Sequence, residues 1–211
     1  MLERIAVASI TGAAKILTGA QCQWIGCGPR DAQRIYFANH SSHLDFVLLW
    51  SALPPALRKS TRPVAAADYW FQGTIRRFLM RQVFHAVPVE RDTGRNGAGT
   101  HLLQPVSLQP MLDALDEGSS LIIFPEGTRG SGEEVQPFRS GIFHLAKDRP
   151  DVELVPVWIE NCYRVMPKGS LLPVPLLCTV RFGTPTKLGR EERRPDFLDR
   201  LKKAVEELRN L

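Results

Sequence analysis

The chain has no long uncharged apolar run. Its N-terminal stretch from Leu2 to Ala20 is interrupted by Glu3, Arg4 and Lys15, so no segment reads as a bilayer span. The same charges, and the lack of a small-residue cleavage site, argue against a signal peptide. Leu2, Ile5, Ile10, Ala13, Ile16 and Leu17 instead recur at a mostly helical period, which predicts an amphipathic helix over 1–20 that lies on a membrane or covers a core. Cysteine is scarce: Cys22, Cys27, Cys162 and Cys178 form no C-x-x-C pair and no Cys/His zinc spacing, so a reduced, cytosolic environment is expected. Internal repeats are absent too. What remains is 211 residues, 44% hydrophobic and 23% charged, enough for one globular domain with a proper core.

Acidic residues are in deficit, leaving a net charge of +5, which favours anionic partners: nucleic acid, a phospholipid surface or a phosphorylated substrate. Part of that charge is concentrated. Arg58, Lys59 and Arg62 precede Tyr69-Trp70-Phe71, and Ile75-Arg76-Arg77-Phe78-Leu79-Met80-Arg81 follows, a pattern suited to a membrane headgroup boundary or to a surface helix with one buried face.

Along the chain, strands are expected at Gln21 to Ile25, from Ile35 to Ala38, at Pro63 to Ala67, Val83 to Val89, Leu121 to Phe124, Val152 to Ile159 and Leu177 to Phe182. Helices are expected from Leu44 to a stop at Pro54-Pro55, at Thr74 to Arg81, Met111 to Asp116 and Glu191 to Leu211, with a mobile loop at Asp92 to Thr100. The alternation predicts an α/β fold with a mostly parallel, mixed sheet flanked by helices, whose site lies at the carboxyl ends of strands.

Chemistry concentrates at three such ends. Asn39-His40-Ser41-Ser42-His43-Leu44-Asp45 delivers a histidine to the end of an apolar strand and a carboxylate five residues later. Residues five apart sit about 140° from each other on a helix, so the pair meets only across a turn. In the plain reading Asn39 and the serines are helix caps and Asp45 is the acid of a capping box. A metal reading takes His40, His43 and Asp45 as ligands of a hydrolase. The run Leu121-Ile122-Ile123-Phe124 leads directly into Pro125-Glu126-Gly127-Thr128-Arg129-Gly130, where a guanidinium, a hydroxyl and backbone N–H groups suit a phosphate. Val87-Pro88-Val89 ends in Glu90-Arg91.

These residues resemble the glycerolipid acyltransferase family. Asn39, His40, Ser42 and Asp45 match its N-H-x-S-x-x-D motif, Val87 to Arg91 its second motif, Phe124 to Arg129 its F-P-E-G-T-R, Phe138-Arg139-Ser140-Gly141 its F-x-x-G, and Val155-Pro156-Val157 its fourth, across about residues 34 to 160. Gly130 stands where the family commonly has serine, and His85 where the second motif often begins with glycine. The long transmembrane helices of some members are missing, so a compact protein, peripheral on the cytoplasmic face of a membrane, is implied. The resemblance further implies acyl transfer from acyl-CoA or acyl carrier protein to lysophosphatidate, with glycerol 3-phosphate or another lysolipid as the alternative acceptor. His40 is then the base and Asp45 its partner, while Arg91, Glu126, Gly127, Thr128 and Arg129 hold the acceptor and its phosphate. No metal, cofactor or nucleic acid is implied. His43 becomes a supporting or surface residue.

Overall fold

The computed structural model of the chain describes residues 2–19, 21–90, 107–130, 132, 134–162 and 177–211. Seven strands form one sheet in the order β1-β7-β6-β2-β5-β3-β4. They are β1 (Gln21–Trp24), β2 (Arg34–Ala38), β3 (Thr61–Ala66), β4 (Val87–Val89), β5 (Ser120–Ile123), β6 (Glu153–Glu160) and β7 (Thr179–Phe182). Neighbours pair in parallel except β6 with β7, which are antiparallel, so β7 and β1 run against the other five. The expected mixed, mostly parallel sheet is the observed one.

Why β2 takes the centre follows from its composition. Ile35-Tyr36-Phe37-Ala38 is β-branched or aromatic almost throughout and no more than 1% exposed, because helices cover both sheet faces. Tyr36 and Ala38 enter one core with α2 (Asp45–Ala52), while Ile35 and Phe37 enter the other with α6 (Gln109–Asp116), α7 (Gly141–Asp148) and α8 (Arg194–Glu207). Within α8, Phe197, Leu201 and Val205 recur every fourth residue and are fully buried, one stripe of an otherwise polar helix. The N-terminal helix α1 (Leu2–Thr18) covers the first core: Ala14 is buried and Ala6, Val7 and Ile10 pack against it, while Ile5 faces solvent.

Several boundaries differ from the sequence reading. Pro54-Pro55 ends α2 but also begins α3 (Pro55–Lys59), since proline is well placed in a helix's first turn, where no N–H is needed. Helices α4 (Ala67–Trp70) and α7 were not expected. The helix α5 (Thr74–Phe78) continues into a π-helical turn, Leu79–Val83, so the strand expected from Val83 is only β4. Between them His85 adopts φ +47°, the left-handed region that favours glycine, which accounts for the glycine usual there in the family. The terminal helix is Arg194–Glu207 with a short 3-10 turn after it, rather than 191–211. The loop expected at Asp92 to Thr100 lies outside the described residues.

Because β2, β3, β4, β5 and β6 are parallel, their carboxyl ends share one side of the sheet. β2 and β5 are direct neighbours, so the loops after them adjoin. The end of β4 is three strand spacings from β2, about 14 Å.

Candidate active site

The loop after β2 leaves the sheet at Asn39. Its buried side chain accepts from the Ile159 N–H at 2.8 Å and donates to the Ile159 carbonyl at 3.0 Å. An amide can do both, so Asn39 extends the β2–β6 ladder by one rung with its side chain and frees His40 to turn into the cleft. Asn39 thus caps the sheet rather than a helix. The serines do not cap α2 either: that helix starts at Asp45, Leu44 is its cap residue, and no side chain bonds its first turn. Ser42 Oγ instead accepts from the Leu44 N–H at 3.3 Å.

Asp45 reaches back across the turn. One oxygen, Oδ2, meets His40 Nδ1 at 2.8 Å and accepts from the N–H groups of Ser41 at 2.6 Å and Ser42 at 2.8 Å. The bonds that close the turn and the His–Asp pair therefore use the same atom. Asp45 is wholly buried, whereas the His40 side chain is 21% exposed. With Nδ1–H donated to the carboxylate, Nε2 carries the lone pair, the arrangement of a general base. The other carboxylate oxygen, Oδ1, has no hydrogen-bond partner among the described residues. Cys162 lies close by: burial first, then the Asp45 charge, push its thiol well above the ordinary value.

The segment after β5 wraps His40. Phe124 stacks on the imidazole with centroids 4.3 Å apart. Glu126, only 4% exposed, accepts from the His40 N–H through Oε1 at 2.6 Å and from the Gln136 N–H through Oε2 at 2.9 Å. The Gly130 N–H then donates to the His40 carbonyl at 2.8 Å. Burial pushes the Glu126 carboxyl above its ordinary value, with the two backbone donors opposing that shift. Both of its oxygens thus hold backbone in place, a clasp between two loops that sequence reasoning missed.

Gly127 takes φ +72°, and a Cβ there would meet Arg139 Nε at 2.5 Å, so glycine is needed for the turn and for the arginine that crosses it. Arg139 donates through Nε to the Glu126 carbonyl at 3.3 Å and through its N–H to the Pro125 carbonyl at 2.8 Å. Thr128, Arg129 and Arg139 are exposed, and Arg129 has no hydrogen-bonded or ion-paired partner among the described residues. A Cβ at Gly130 would sit 3.5 Å from Glu126 Oε2, ordinary contact, so the family's serine fits that position.

The structure thus brings together His40, Asp45, Glu126 and the Gly127–Gly130 turn. His43 points elsewhere, stacked on Tyr69 at 4.8 Å and edge-on to Trp70 at 5.4 Å. His40, His43 and Asp45 do not converge as metal ligands, and among the described residues no three His, Cys, Asp or Glu side chains do. Arg91 lies outside the described residues; Glu90 is exposed at the end of β4.

Known proteins resemble this chain in sequence and in fold. A 1-acyl-sn-glycerol-3-phosphate acyltransferase of Cocos nucifera is 26% identical over 181 residues, covering 81% of this chain and 54% of that protein. The enzyme of that name from Saccharomyces cerevisiae is 29% identical over 141 residues, 60% of this chain and 38% of its own length. The chain therefore spans about half, or less, of the curated relatives it matches. The crystal structure of the 1-acyl-sn-glycerophosphate (LPA) acyltransferase PlsC from Thermotoga maritima superposes with a TM-score of 0.67 at 21% identity, covering 99% of this chain and 82% of that one, and so has the same fold. Residues 27–160, more than half of the chain and all of the strands that carry the site, match the family described as Acyltransferase, and to that family the chain belongs.

Proposed function

We propose that this protein moves a fatty acyl group from acyl-CoA or acyl carrier protein to the free hydroxyl of lysophosphatidate, giving phosphatidate in phospholipid synthesis. The observation that carries this reading is His40, held through Nδ1 by buried Asp45 and clasped against the phosphate-friendly turn after β5. The relatives named above bear the same activity in their names.

An alcohol is a poor nucleophile until its proton is removed during attack. His40 Nε2 takes that proton as the hydroxyl oxygen bonds to the thioester carbonyl carbon, while Asp45 supports the imidazolium. The carbonyl oxygen becomes an oxyanion, for which the N–H groups of the Gly127–Gly130 turn are the candidate donors. Collapse breaks the C–S bond, the imidazolium returns its proton to the departing thiolate, and an ester remains. No covalent enzyme intermediate, metal or cofactor enters this scheme. Arg129, with Arg91, holds the acceptor phosphate, and Thr128 adds a hydroxyl. Anchoring the phosphate fixes the neighbouring hydroxyl against His40. Glu126 acts by holding both loops rather than by touching the acceptor. No helix among the described residues is long and apolar enough to cross a membrane, and we place the protein peripherally on the cytoplasmic face.

The test is a thiol-release assay that crosses several acyl thioesters with lysophosphatidate, glycerol 3-phosphate and other lysolipids, products being identified by mass. Lysophosphatidate-dependent release that disappears in a folded His40→Ala protein, and an acceptor KM raised by Arg129→Ala, are expected. Turnover near that of the parent in His40→Ala would refute the base assignment.

A further inference from the structure

Between β3 and β4 the chain makes an outward excursion through α4, α5 and the π-helical turn. This excursion shows large apolar side chains to solvent: Ile75 is 75% exposed, Phe78 39% and Tyr69 37%. Arg77, in α5 between Ile75 and Phe78, is exposed as well, and so is Arg81 in the π-helical turn that follows. Met80 and Val83 are buried on the opposite side. Arg76 lies over Tyr69 with its guanidinium 4.8 Å from the ring centroid, and Tyr69 stacks in turn on His43. The surface is therefore continuous with the loop that carries His40. Beside it opens a cavity of about 370 Å³ whose mainly apolar lining, with Ala67, Phe71, Ala86 and Pro88, also includes Arg62, Arg81 and His85.

Exposed aliphatic and aromatic side chains gain free energy only where an apolar medium meets them, and the flanking arginines fix the sign of what surrounds that medium. Nucleic acid would satisfy the arginines and leave Ile75 and Phe78 in water. A bilayer with anionic headgroups satisfies both. We infer that the segment 69–81 docks on an anionic phospholipid bilayer, with Ile75 and Phe78 inserted at the acyl boundary and Arg77 and Arg81 on headgroup phosphates. The purpose of this docking rests on the lysolipid-acceptor reading above, since it brings the rim of the cleft to where such an acceptor resides; the docking itself is measured without that reaction.

The experiment is flotation of the purified full chain with phosphatidylcholine vesicles, with and without one-third phosphatidylglycerol. The parent is expected to float with the anionic vesicles, and less as salt is raised. Ile75→Ser with Phe78→Ser should lower the partition coefficient at least tenfold, about what one fully buried apolar side chain contributes. Arg77→Gln with Arg81→Gln should lower it roughly fivefold per charge. Turnover of a short-chain, monomerically dissolved acceptor and the circular dichroism spectrum should stay as in the parent for both pairs. Leu211→Ser, which removes another exposed apolar side chain, should leave binding unchanged. A parent that ignores anionic vesicles, paired variants that bind as it does, or binding lost through Ile5→Ser alone would each overturn the proposal. A parent that docks through this patch yet acylates no lysolipid would uphold docking and refute the proposed reaction.

Discussion

Replacing Glu126 by glutamine separates a clasp from a substrate contact. The carboxylate presents two acceptors to two backbone donors, His40 N–H at 2.6 Å and Gln136 N–H at 2.9 Å, at a residue only 4% exposed. An amide of the same shape offers one acceptor and one NH2, so whichever way it turns, one backbone N–H faces a donor. A buried donor left unsatisfied costs about 1–3 kcal/mol, so the variant should lose about 2 kcal/mol of stability. For a chain of this size that is roughly 4–8 °C in Tm. The same change loosens the His40 backbone, and a misplacement of about 1 Å near the reacting atoms costs on the order of 100-fold in rate. Thermal unfolding and steady-state kinetics with varied acceptor measure both effects. The expected result is a lower Tm and a kcat reduced by 10- to 100-fold on the same estimate, with acceptor KM nearly unchanged. An unaltered Tm combined with a tenfold higher acceptor KM would refute the clasp and give Glu126 to the acceptor.

Four further substitutions have expected outcomes. Gly127→Ala must accept φ +72° and displace the Arg139 side chain, so it should cost about 1–2 kcal/mol in urea unfolding and raise acceptor KM, whereas Gly130→Ser should be stable and active. His85→Gly relieves a left-handed backbone at φ +47°, for which a gain of about 0.5–1 kcal/mol is expected after the entropy of glycine is deducted; the Glu3 ion pair it forfeits is exposed and worth little. Burial, followed by the Asp45 and Glu160 charges, pushes the Cys178 thiol up to about 11 from 9.0. The unfolded thiol ionises first, so the stability it contributes is full below pH 9.0 and is lost as the pH rises through about 11; Cys178→Ala should show a shallower fall of Tm across that window than the parent.

Which parts of the molecule were legible in the sequence depended on how local their cause was. The runs Ile35 to Ala38 and Leu121 to Phe124 announce buried strands because both of their faces meet core, and the turn chemistry around His40 lies within seven consecutive residues. The double role of Asp45, closing the turn and holding the imidazole, was within reach because His40 is five residues away. The partners of Glu126 were not, since its bond to His40 spans 86 residues and nothing near it in the chain marks a carboxylate destined for two backbone donors. Asn39 misled for the same reason: its partner is Ile159, and a cap for a helix was the local alternative. The valine-rich stretch from Val83 reads as strand by composition, although Val83 closes a π-helical turn and only Val87–Val89 pairs as strand.

The latch between the loops after β2 and β5 also bears on how the site comes into being. His40 is held from its own loop by Asp45 and from the far loop by Glu126 and Gly130, while Asn39 is tied to β6, 120 residues on. Closing such distant contacts is slow, and each needs its neighbouring strand already in register. A nascent or partly folded chain with β2 and α2 formed would carry the whole N-H-x-S-x-x-D signature and still lack a fixed base. A fixed His40 is thus a property of three paired strands, β5, β2 and β6, rather than of the motif that carries it.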